Sequence, residues 1–173
     1  TGEFGVDSSV VTAFESEDNA RGDRTYRFTL AQGLTYNDGT PITAADYVFT
    51  ALLQCDPAIP LVGGQNTGMS YLQGYQNYAA GKTGVLSGVR LVDDYHFTLT
   101  VPASALPFFY ELTYALLSPS PIAAIAPGFA VYDAGNGAYL APEGEADPAA
   151  PGASPLTAEL LAKTLTAADG YLH

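Results

Sequence analysis

The sequence predicts an α+β fold, a mainly antiparallel sheet with covering helices. Three observations carry that prediction. Apolar and polar residues alternate at period two in residues 10–15, 25–30 and 95–101, the pattern of strands with one solvated face. Apolar residues recur at helical spacing in residues 44–54 and 69–80. Gly, Pro, Asn and Asp cluster between these runs, which punctuates the chain into short elements without a repeat of about 20–50 residues.

The first strand places Val10, Thr12 and Phe14 on one face, and the second places Tyr26, Phe28 and Leu30 opposite Thr25, Arg27 and Thr29. Residues 17–23 between them are polar and turn-rich, so the pair reads as a hairpin. The acidic residues of that turn lack the ligand spacing of a calcium loop. Asp38-Gly39 then marks a tight turn, Pro41 keeps Thr40 extended, and Thr43 with Asp46 three residues on forms a capping box. The helix behind it, with Ala44, Tyr47, Val48, Ala51 and Leu52 on one stripe, is expected to end at Asp56-Pro57.

A loop through residues 57–67 leads to the second helix, where Leu72, Tyr75, Tyr78 and Ala79 share a stripe that Gly74 weakens. A second hairpin runs through Val89–Val92, turns at Asp93-Asp94, and returns with Tyr95, Phe97, Leu99 and Val101 facing one way. Ser104 and Pro107 open a short helix through Phe108, Phe109 and Leu112. Residues 131–133 and 138–140 flank Ala134-Gly135-Asn136-Gly137 as a small hairpin. Residues 142–155, rich in Pro, Gly, Ala and Glu, read as a flexible internal loop. Ser154-Pro155 then opens a last helix carrying Leu156, Leu160, Leu161 and Leu165, closed near Asp169-Gly170. Residues 1–173 are expected to form one domain, the usual size for a chain of this length.

Composition narrows the function. Six basic against eighteen acidic residues give a net charge of -12, too few cations for a phosphate-neutralising surface, so neither nucleic acid nor an anionic membrane is an expected partner. One cysteine, Cys55, and two histidines exclude a disulfide and a Cys- or His-rich metal cluster. No metal or other cofactor is therefore expected. The apolar stretch 112–132 carries three prolines and is a poor membrane span. No phosphate loop, nucleophile elbow or activated cysteine occurs, so no catalytic residue is assigned and an enzyme is not expected. Asp38 and Asp46 read as a turn and a cap rather than an acid–base pair, and His96 as a partly exposed sheet residue. Tyr71 and Tyr75 could stack on a ligand, although tyrosines at helical spacing more often belong to the core.

The run from Thr25 to Leu30, then Gly33-Leu34-Thr35-Tyr36-Asn37-Asp38-Gly39-Thr40-Pro41-Ile42-Thr43-Ala44-Ala45-Asp46-Tyr47-Val48, resembles the family 5 bacterial extracellular solute-binding proteins. These are the oligopeptide, dipeptide and nickel receptors of ABC importers. The likeness continues through Ser70–Gln73, Ala80-Gly81-Lys82, Ser87-Gly88-Val89, Val92–Leu99 and Pro107-Phe108-Phe109, to about residue 121. Ala31-Gln32 stands where the family places a basic residue.

The resemblance implies a periplasmic-binding-protein-like (type II) fold, of which this chain is the subdomain inserted in the first lobe. It implies a substrate-binding component, or a fragment of one, that delivers oligopeptides or similar small solutes to an ABC permease. The protein is then a monomer outside the cytoplasm, either a cell-surface lipoprotein or periplasmic; if any part of the chain faces ligand, Tyr71 or Tyr75 is the expected place, since their rings can line a wall without supplying charge. Cys55 lies too far inside the domain to be a lipidated N-terminal cysteine. A non-transport structural or adhesive surface domain on the same fold is the alternative. Residues 1–173 alone offer one open wall and are expected to show no detectable peptide binding, and millimolar affinity at best.

Overall fold

A computed structural model describes residues 9–65, 69–108, 117–146, 152–167 and 170–171. Strands β1 (Val11–Asp18), β2 (Arg24–Leu30), β4 (Val89–Asp93) and β5 (His96–Val101) form one antiparallel sheet in the order β1-β2-β5-β4. The two predicted hairpins thus share a sheet, joined where β2 pairs with β5 and Phe28 lies opposite Phe97. A second, three-stranded antiparallel sheet has the order β3-β7-β6, from Val85–Leu86, Ala138–Pro142 and Phe129–Asp133.

Alternation places the core. Tyr26, Phe28 and Leu30 of β2 and Phe97, Leu99 and Val101 of β5 are buried on the inner face of the first sheet. Helix α1 (Ala44–Cys55) lies over that face and also touches the second sheet. The Phe28 and Phe97 rings stack with centroids 4.6 Å apart, and Tyr47 of α1 stacks on Phe97 at 5.4 Å. Aromatic pairs in this range add about 0.5–1.5 kcal/mol beyond the burial of their area. On the edge strand β1, Phe14 lies over Tyr26 and Phe28 at 5.6 and 5.1 Å, while the rest of that strand is largely exposed.

Local chemistry sets the element ends. Arg24 Nε and Nη2 donate to the two carboxylate oxygens of Asp18 at 2.6 and 3.0 Å, closing the first hairpin. In its turn, Asn19 Oδ1 accepts the Arg21 and Asp23 amides, and Asp23 accepts the Ala103 amide at 3.0 Å. The capping box of α1 is present, with Asp46 Oδ2 accepting the Thr43 amide at 2.9 Å. The Thr43 side chain faces the N3 amide as the other half of the box, and its hydroxyl lies 3.4 Å from Asp46 Oδ2. Asp56 caps the other end, where its amide donates to the Leu53 carbonyl.

Three expectations are corrected. The predicted 69–80 helix is a 3-10 turn, Met69–Tyr71, followed by the short helix α2, Tyr75–Ala79. Gly74 at φ 80° lies in the left-handed region and cannot continue a helix. The predicted helix after Ser104 is a single 3-10 turn, Leu106–Phe108; Phe109 and Leu112 lie outside the described residues. The last helix begins at Thr157, not Ser154, because Thr157 Oγ1 accepts the Leu160 amide. That helix runs through Ala158–Leu161 and widens into a π-turn at Ala162–Thr166. Its predicted closure at Asp169 lies outside the described residues. So does the centre of the 142–155 loop, whose first residue ends β7. Among the described residues no helix is long and apolar enough to cross a membrane.

Candidate functional site

Because side chains alternate, the polar half of the central strands faces away from the core. Thr25 and Arg27 of β2, Thr98 and Thr100 of β5 and Arg90 of β4 line a groove of about 540 Å³ on that face. Asn19, Gln73 and Ser87 add polar groups to it, and Leu91 and Val92 complete its lining. Among the described residues no carboxylate lines it. The Thr25 and Thr100 hydroxyls lie 3.0 Å apart.

The two arginines differ. Arg90 Nε donates to Asp133 Oδ2 at 2.7 Å, and the same oxygen accepts the Leu91 amide at 3.0 Å. Arg27 is exposed and lies in register with Glu15 of β1. Among the described residues none forms a hydrogen bond or ion pair with its guanidinium.

Gln73 carries the segment that holds the two predicted site residues. Its amide donates to the Thr100 carbonyl at 2.9 Å, and its carbonyl accepts the Gly88 amide at 2.8 Å. Gly88 in turn accepts the Thr100 amide at 2.7 Å. A Cβ on Gly88 would stand 2.6 Å from the Gln73 carbonyl oxygen and 2.7 Å from its nitrogen, so this approach requires glycine. Tyr71, ending the 3-10 turn, and Tyr75, opening α2, flank this anchor. Both are half-buried and packed against the core cluster, and neither lines the groove. Tyr78 is fully inside the core.

Asp38, Asp46, Asp93 and Cys55 have local structural roles. Asp38 accepts the Thr40 amide, which holds its carboxyl below the usual range. Burial pushes Asp46 up despite the amide it accepts from Thr43. The two carboxyls therefore serve a turn and a cap, as their spacing predicts. His96 Nδ1 lies 2.7 Å from Asp93 Oδ1 at the end of β5. The Tyr95 amide, then His96, holds the Asp93 carboxyl low. Burial pushes the Cys55 thiol up, away from the thiolate a nucleophile needs.

The groove itself is the feature that sequence reading missed. Its strand residues follow from period two, but Gln73 and Ser87 reach it only through the Gly88 contact, and glycine spacing alone does not reveal such a contact.

The family described as "Bacterial extracellular solute-binding proteins, family 5 Middle" matches residues 12–156. The periplasmic oligopeptide-binding protein OppA of Escherichia coli (strain K12) is 30% identical over 113 residues, which are 64% of this chain and 20% of that protein. OppA of Salmonella typhimurium is 28% identical over 104 residues, 59% of this chain and 19% of the relative. The chain thus spans about a fifth of the length of these relatives. Among solved structures, the Escherichia coli murein tripeptide binding protein MppA is similar at a TM-score of 0.49 and 27% identity, covering 69% of this chain and 23% of that one. From the match over residues 12–156, the chain belongs to the family 5 bacterial extracellular solute-binding proteins.

Proposed function

We propose that this chain is part of the substrate-binding component of an ABC importer for oligopeptides or similar small solutes. The observation that carries the reading is the family match over residues 12–156, which takes in both sheets and α1. The OppA relatives, named as oligopeptide-binding proteins, support the solute class. In this reading the described residues are one folding unit, the subdomain inserted in the first lobe of a type II binding protein. The rest of the ligand cleft comes from other parts of the receptor, a monomer that works outside the cytoplasm, periplasmic or lipid-anchored at the cell surface. The protein delivers its ligand to a permease and performs no chemistry on it.

Tyr71 and Tyr75 are the residues proposed to face the ligand. Both residues are half-buried and stand two positions to either side of Gln73, whose backbone is bonded to Thr100 and Gly88. An aromatic wall of this kind contributes contact area with little loss of side-chain freedom and without selecting for charge. The test is uptake of labelled oligopeptides by cells with and without the gene. Loss of uptake on deletion, restored by the intact gene, is expected. Unchanged uptake together with a defect in surface adhesion would replace transport with the structural reading.

A further inference from the structure

We propose that the groove on the outer face of the four-stranded sheet binds the carboxylate of a small solute, with Arg27 as its anchor. The inference does not rest on the transport reading, since it concerns a face on which neither Tyr71 nor Tyr75 lies. Its starting point is charge. The chain carries -12 and only six Lys and Arg residues, yet two of the six line one groove that has no carboxylate among its described lining residues. Arg21, Arg24 and Arg90 each pair with an aspartate. Among the described residues Arg27 has no such partner, although it is exposed in the same sheet.

The ligand class follows from the donors. A free guanidinium offers a planar fork that matches a carboxylate with two parallel hydrogen bonds. Thr25, Thr98, Thr100, Ser87 and Gln73 line the same groove and bring uncharged donors and acceptors to it. A phosphate dianion would call for a second free cation, and Arg90 is already engaged by Asp133 at 2.7 Å. Glu15 is the competitor. It lies opposite Arg27 in the strand register and lines a small adjoining recess with Ser16 and Glu17. Its field weakens an incoming anion, and the groove is open to water, so the affinity expected of the isolated site is millimolar.

The test is a titration of this chain followed by amide NMR shifts at fixed pH and ionic strength. The probes are acetate, its neutral analogue acetamide, inorganic phosphate, and a tripeptide with a free or amidated C-terminus. Acetate is expected to shift the Thr25, Gln73, Thr98 and Thr100 amides saturably, and acetamide is not. Arg27→Gln should abolish the shifts, and Arg27→Lys should weaken them while keeping the fold. Glu15→Gln should tighten binding about twofold to fivefold, the size of an exposed charge interaction. Stronger binding by the free-ended tripeptide than by acetate, lost on amidation, identifies a peptide terminus as the source. Equal binding identifies free organic acids, and either result supports the proposal. Equal shifts with acetamide, shifts that persist in Arg27→Gln, tighter binding of phosphate than acetate at these amides, or no saturable shift would each overturn it.

Discussion

Replacing Gly88 with Ala probes the joint between the sheet and the Tyr71–Tyr75 segment. The added methyl would stand 2.6 Å from the Gln73 carbonyl oxygen, 2.7 Å from the Gln73 nitrogen and 3.0 Å from the Thr100 carbonyl oxygen. All three neighbours are backbone atoms, so no side chain can swing aside. Two responses are open to the chain. If the backbone stays, the site is overpacked, at a cost of about 1–3 kcal/mol. If Gln73 withdraws, the bonds from the Gly88 amide to Gln73 and from the Gln73 amide to Thr100 are lost, at about 0.5–1.5 kcal/mol each. Both routes give about 1–3 kcal/mol. With a urea slope of about 2 kcal/mol/M, the unfolding midpoint should fall by about 0.5–1.5 M. Hydrogen exchange at the Gln73 amide should quicken more than at the Phe97 amide in the centre of the sheet. An unchanged midpoint with Gln73 as protected as before would mean that the close approach does not exist.

Thr43→Ala should cost about 0.5–2 kcal/mol, measured by denaturant unfolding. The low end is expected, because the shortest bond of the capping box comes from Asp46 and not from the hydroxyl. A loss at the high end would show the hydroxyl to be the principal cap. Asp56 is fully buried and burial pushes its carboxyl up from the usual 3.8, so folding favours the neutral acid. That stability is present below pH of about 3.8 and is lost as pH rises through the raised folded value. Asp56→Asn, which keeps an acceptor for the Ala58 amide, should therefore match the parent near pH 3 and exceed it at pH 7 in thermal melts. Equal pH dependence in the two proteins would contradict the burial argument. Finally, the described residues share one hydrophobic cluster across both sheets, so circular dichroism and tyrosine fluorescence should report one coincident unfolding transition. Two separated transitions would divide the chain into independent units.

The elements that were legible in the sequence are those whose signals are local. Period two gave β2 and β5 with Tyr26, Phe28, Phe97 and Leu99 on the correct face, and the Thr43–Asp46 pair located the start of α1. Most of what escaped depends on contacts distant in sequence. The stripe through Leu72, Tyr75 and Tyr78 looks helical, but Gln73 leaves it to pair with Thr100 and Gly88, and Gly74 supplies the left-handed step this needs. The two-residue strand Val85–Leu86 is too short for any periodicity and exists by pairing with Ala138 and Tyr139. The late N-cap at Thr157 reflects a competition between two local hydroxyls, with Ser154 accepting the Leu156 amide instead. The groove combines both situations: strand residues that alternation places, and walls that only the tertiary contact supplies.

Calorimetry of the intact protein with oligopeptides measures the solute binding proposed above. Saturable binding of one peptide per protein is predicted, weakened by Tyr71→Ala or Tyr75→Ala with the thermal midpoint of the unliganded protein largely kept. Heats indistinguishable from dilution for every peptide would contradict the transport reading. Full affinity in both variants, with a lowered midpoint, would return the two tyrosines to the core.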